Sequence, residues 1–172
     1  MKKIIVCIAV VIVAIGLYAP IVERFYTLDF GQDLAKKPVH IVLLSDIHSG
    51  TFYLQNLLEK LKAAKMRDEL DAIFLLCDIV DDEVPIDGAI KLLESLNAEF
   101  ADLPRFFVAG NHEFWGDIAA IKQLMQTHGV LVLDANLPNV CVRINKWNLR
   151  IVGVDDPVKM GVKNGKISLK NR

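Results

Sequence analysis

The sequence predicts an α/β fold with a parallel sheet, preceded by one transmembrane helix. Three observations carry this. Short apolar runs rich in β-branched residues and leucine recur at residues 39–45, 71–77 and 105–109. Segments with apolar residues at helical spacing separate them. Residues 4–22 contain no charged side chain. Strands alternating with helices imply right-handed βαβ units and therefore parallel strands. A chain of 172 residues suffices for one domain with a sizeable core, plus extras. The formal net charge is −1, so no broad basic surface points to nucleic acid as a partner.

The first element is "IIVCIAVVIVAIGLYAPIV", residues 4–22. As a helix it rises about 28 Å, close to the hydrocarbon thickness of a bilayer. Lys2 and Lys3 precede it, and Glu23 and Arg24 follow. That asymmetry puts the N-terminus in the cytoplasm and the rest of the chain across the membrane. The rival is a cleaved signal peptide, for which Ala14-Ile15-Gly16 is only a weak cleavage site. An uncleaved single-pass anchor over residues 1–23 is expected, then a polar connector over 24–37 and a domain over 38–172.

"VHIVLLS" (39–45) is the first strand of that domain. Leu54, Leu57, Leu58, Leu61 and Ala64 then recur at helical spacing. "DAIFLLC" (71–77) is the second strand. Pro85 suits the first turn of a helix whose apolar face is Ile86, Ala89, Ile90, Leu93, Leu96 and Phe100. "RFFVA" (105–109) is the third strand. Ile118, Ile121, Leu124 and Met125 mark a further helix, and "GVLVL" (129–133) a short fourth strand. The rhythm then changes. Residues 140–145, with Asn145 already in the turn, and 149–154 flank "NKWN" and read as an antiparallel hairpin. Cys77 and Cys141 both lie in apolar strand-like runs. They are expected as buried free thiols, a disulfide in an exported domain being the rival.

Parallel sheets carry their chemistry at the carboxyl ends of the strands. There the sequence repeats itself in kind. Strand one ends in "SDIHSG", with Asp46 and His48. Strand two ends in "CDIVDD", with Asp78, Asp81 and Asp82. Strand three ends in "GNHE", with Asn111, His112 and Glu113. Asp46, Asp78 and Asn111 are separated by 32 and 33 residues, about one βαβ unit each. Singly, each cluster is a helix cap or a turn. Together they form a mixed set of carboxylate, imidazole and amide donors. That set suits Mn²⁺, Fe or Zn²⁺ and not a thiolate-rich structural zinc site. Paired metals clamp phosphoryl groups during transfer.

"DIH", "DIVDD" and "GNHE" resemble, in order and spacing, the first three motifs of the calcineurin-like metallophosphoesterases. The anchor and "VGVDDP" (152–157) resemble the membrane-anchored bacterial branch. The resemblance covers residues 38–156 and implies the N-terminal part of an αββα sandwich. It also implies hydrolysis of a phosphomonoester, phosphodiester or pyrophosphate by a metal-bridged hydroxide, with two divalent metal ions. By the same resemblance, Asp46 and His48 ligate the first metal, Asp78 bridges both, and Asn111 ligates the second. His112 contacts the phosphate and protonates the leaving oxygen. Asp81 orients a histidine from behind the ligands, and Glu113 is a helix-start carboxylate. A lipid-linked or membrane-derived phosphate ester is an admissible substrate.

The sequence departs from the family at two places. Cys77 stands where the motif has glycine. The family's later histidine motifs, including G-H-x-H, find no match. The remaining histidines are His40, within the first strand, and His128, at a helix end. The alternative expectation is therefore a truncated, inactive remnant that binds at most one metal weakly or needs a partner chain.

Overall fold

The computed structural model describes residues 13, 21–29 and 36–156. The chain divides into two compact units, residues 1–32 and 33–172. The expected anchor lies for the most part outside the described residues. Among those described, no helix is long and apolar enough to cross a membrane.

The second unit runs β1 (Ile41–Leu44), α1 (Leu54–Met66), β2 (Ala72–Leu76), α2 (Asp87–Glu99), β3 (Arg105–Val108), α3 (Asn111–Trp115), α4 (Ile118–Thr127), β4 (Leu131–Val132), β5 (Asn139–Ile144) and β6 (Trp147–Val152). Strands β1 to β4 form one parallel sheet in sequence order, and β5 and β6 form a separate antiparallel pair. The fold is α/β, as the alternating pattern predicts. Right-handed crossovers in a sheet of that order place the connecting helices on one face. The register agrees. Leu44, Leu75, Phe107 and Val132 lie abreast, and all are buried. So are the inward residues of the helices: Leu57, Leu58 and Leu61 of α1, Leu92, Leu93 and Leu96 of α2, and Ile121 and Met125 of α4. Each such side chain contributes about 1.5–3 kcal/mol by leaving water. In the opposite row, Leu43 and Leu131 at the sheet edges are exposed, while Phe106 between them is buried.

The structure corrects several details. The β5–β6 turn is the two residues Asn145-Lys146, because Ile144 pairs with Trp147. Both turn residues have positive φ, 49° and 69°, as a type I′ hairpin turn requires. Pro85 lies outside α2, which begins at Asp87 after the capping residue Ile86. His40 precedes β1, and its N–H donates to Asp71 Oδ2 at 2.8 Å. His128 caps the C-terminus of α4, with Nδ1 2.9 Å from the Leu124 carbonyl oxygen. Cys77 and Cys141 are both free, and Cys141 is exposed and not buried. On a half-buried antiparallel ribbon, alternate side chains face solvent, and Cys141 falls on that side.

Candidate metal centre

The strand ends do not stop pairing where the strands stop. Beyond β1 and β2, the N–H groups of Asp46, His48 and Ser49 donate to the carbonyls of Cys77, Asp78 and Ile79, at 3.2, 2.8 and 2.9 Å. These bonds fix the two loops side by side. They also demand an unusual backbone. Asp46, His48, Ser49, Cys77 and Asp78 all have φ between 48° and 55°. For residues with a Cβ, that conformation costs about 1–2 kcal/mol each, and Asp accepts it best. Strain concentrated at two adjacent strand ends is typical of a functional site. Cys77 now has a reading: the family's glycine stands where φ is 55°, and this chain bears the strain with a cysteine.

Burial, then the carboxylates of Asp78 and Glu113, pushes the Cys77 thiol up from its ordinary pKa.

The third strand end is locked to the second by Glu113. Its carboxylate is fully buried. It accepts the N–H groups of Asp78 (3.0 Å), Val80 (2.9 Å) and Gly110 (2.8 Å). The Gly110 bond is the helix-start contact expected from the sequence. The other two reach a different loop and were not foreseen. Gly110 is needed for space. Its φ of −95° is ordinary. A Cβ there would collide with Asp78 Oδ1 and approach Cys77 Cβ to 2.7 Å and the Asp78 nitrogen to 2.8 Å. Glycine lets the β3 loop lie directly on the β2 loop. The His112 N–H then reaches Asp78 Oδ1 at 3.1 Å.

Asp46, His48 and Asp78 each bring a donor atom within 4.8 Å of the other two. Oxygen and imidazole donors this close, held on strained backbone, fit a divalent cation. Asn111, the first residue of α3, follows Gly110 directly and is half-buried. A second group, His48, Asp81 and His112, meets the same distance limit. There the imidazoles are engaged otherwise. His48 Nδ1 lies 2.8 Å from Asp81 Oδ2, and His112 Nδ1 lies 2.7 Å from Asp82 Oδ1. A carboxylate behind a ligating histidine is the usual support of a metal site. Asp81 stands in that relation to the His48 ring. The partnership of Asp82 with His112 was missed, although two adjacent acids and two imidazoles in the motifs matched in number.

The two imidazoles stand edge to face, with centroids 4.6 Å apart, and His112 meets Trp115 at 4.7 Å. Partial burial lowers the His112 pKa, but the carboxylates of Asp82, Asp81 and Asp78 outweigh it, and the net shift is upward. The Glu83 N–H, then His48, holds Asp81 below the ordinary carboxylate range against its partial desolvation.

Strand-end carboxylates and imidazoles on a parallel α/β sheet are the donors of a candidate metal centre. Residues 39–165 match the calcineurin-like phosphoesterase family, and the chain belongs to it. A metallophosphoesterase of Helicobacter pylori, itself uncharacterized, is 27% identical over 117 residues, 68% of this chain and 30% of that protein. Another from Aquifex aeolicus is 27% identical over 150 residues, 84% of this chain and 54% of that protein. One from Campylobacter jejuni is 29% identical over 94 residues, 54% of this chain and 24% of that protein. The chain thus spans from a quarter to about half the length of these relatives.

Proposed function

We propose that this chain is a metal-dependent phosphoesterase whose centre lies at the carboxyl ends of β1, β2 and β3. One observation carries the proposal: donors from Asp46, His48 and Asp78 converge on strained adjacent loops. Asp46, His48, Asp78 and Asn111 would hold divalent metal, Mn²⁺, Fe or Zn²⁺, two ions in the complete family site. Bound there, metal supplies Lewis-acid stabilisation of phosphoryl charge and a nucleophile from water at neutral pH.

The chain's own residues do the rest. The Glu113 carboxylate keeps Asp78 and the β3 loop in register. With Nδ1 committed to Asp82, His112 has Nε2 left for the substrate. Against its partial desolvation, the carboxylates of Asp82, Asp81 and Asp78 favour its protonated form, and Nε2 can pass a proton to the leaving oxygen. The substrate is a phosphomonoester, phosphodiester or pyrophosphate. The uncharged run at 4–22 supports a membrane-anchored protein with its N-terminus in the cytoplasm and this domain outside, where a lipid-linked ester is within reach. The separate β5–β6 pair supports the family's two-sheet sandwich as the architecture of the whole domain.

The test is hydrolysis of nitrophenyl phosphate esters by the full chain in detergent with Mn²⁺. The expected rate exceeds that of the EDTA-treated protein and of Asp78→Ala by roughly a hundredfold or more. Rates equal to the Asp78→Ala control would remove the proposal.

A further inference from the structure

Among the described residues of the second unit, both exposed aromatic rings stand on loops that carry the site's donors. Phe52, 86% exposed, lies on the β1–α1 loop behind His48. Trp115, 57% exposed, is the last residue of α3, and its ring meets the His112 ring at 4.7 Å. The β2–α2 loop, which follows Asp78 and Asp81, exposes Val84 and Ile86. The three loops are in contact. A Cβ on Gly88 would collide with the Ser49 carbonyl group, so the start of α2 is seated on the β1–α1 loop. The His48 and His112 rings, 4.6 Å apart, join that loop to the third. Single exposed apolar side chains are ordinary. Here each donor loop carries one, and leaving a ring such as Phe52 in water forgoes about 1.5–3 kcal/mol. Apolar side chains around a few convergent polar groups are the usual make-up of a ligand site.

We propose that Phe52, Val84, Ile86 and Trp115 form an apolar rim that receives the alcohol of a long-chain phosphate ester held in a lipid surface. Trp115 adjoins the imidazole that, in the proposed function, meets the leaving oxygen, so the apolar group is the leaving alcohol. Phosphorus gains the oxygen of water, its bond to the alcohol oxygen breaks, and the alcohol departs with the His112 Nε2 proton. The proton lost by the water replaces it. The lipid source is supported by the N-terminal part of the chain. There the uncharged run 4–22 is followed by exposed Phe25, Tyr26 and Leu28, and aromatic residues at such a place mark a membrane–water interface. The inference deepens the phosphoesterase reading and rests on it for the chemistry.

Phosphate release from butyl phosphate and hexadecyl phosphate, in phosphatidylcholine mixed micelles with Mn²⁺, reads the preference in the full chain. The hexadecyl ester should have the higher kcat/KM by roughly tenfold or more. Phe52→Ser should lower that value roughly tenfold and leave the butyl value within about twofold. Phe52→Leu keeps apolar surface and should keep most of the preference, and Phe52→Ser combined with Val84→Ser should lose more of it. Equal rates on both esters, a preference that both serine variants leave intact, or hydrolysis of nitrophenyl phosphate but of neither alkyl ester would overturn the inference. If the unaltered chain hydrolyses no ester at all, the phosphoesterase reading fails, and fluorescence decides the rim. In Trp147→Phe, Trp115 is the only tryptophan left. Hexadecyl phosphate brominated on its chain should quench its emission, and Phe52→Ser should weaken the quenching. Quenching that is absent, or the same in Phe52→Ser, would remove the rim.

Discussion

Glu113→Gln is expected to lower stability by about 2–4 kcal/mol, a fall in melting temperature on the order of 10 °C. The substitution barely changes shape, so the cost is chemical. Oε1 accepts one N–H, from Val80, and Oε2 accepts two, from Asp78 and Gly110. Glutamine keeps one acceptor oxygen and turns a donor group toward donors. At a fully buried position, water cannot repair the mismatch. Because two of the three bonds hold the β2 loop and one the β3 loop, the loss should appear first at the site. Hydrogen exchange at Asp78 and Val80 should rise before that of α2. A melting temperature within about 2 °C of the unaltered chain would show that the carboxylate is not the clamp.

Gly110→Ala is expected to cost about 1–3 kcal/mol and to weaken metal binding at the same time. Of the atoms the new Cβ meets, the Asp78 carboxylate is a movable side-chain end. The Asp78 nitrogen at 2.8 Å is not, since it is backbone bonded to Glu113. The loops must part, and the bond from the His112 N–H to Asp78 goes with them. Differential scanning calorimetry of the variant, with and without Mn²⁺, reads both effects. An unchanged melting curve and unchanged Mn²⁺ stabilisation would mean that the loops do not need this close approach.

The main lines of the fold were legible because hydrophobic period reports burial. The row Leu44, Leu75, Phe107 and Val132 was visible in the sequence as strand runs, and Leu57, Leu58 and Leu61 of α1 and Leu93 and Leu96 of α2 as helical ones. The strand ends were legible because chemistry concentrated there. What was hidden depends on the paths of loops more than thirty residues apart. The reach of Glu113 to Asp78 and Val80 spans sequence separations of 35 and 33, which no local pattern records. The choice of Asp82 by His112 turns on a difference between 2.7 and 3.5 Å. The positive φ at Cys77 was signalled by the family's glycine, whereas the need for glycine at position 110 is one of space and not of φ.

Metal at the Asp46, His48 and Asp78 donors is the feature on which the proposed function stands. Calorimetric titration of the metal-free full chain with Mn²⁺, beside Asp78→Ala, tests it without reference to any substrate. Saturable binding by the unaltered chain, lost or weakened at least roughly tenfold in Asp78→Ala, is the predicted result. No binding by the unaltered chain, or binding that Asp78→Ala leaves intact, would contradict it.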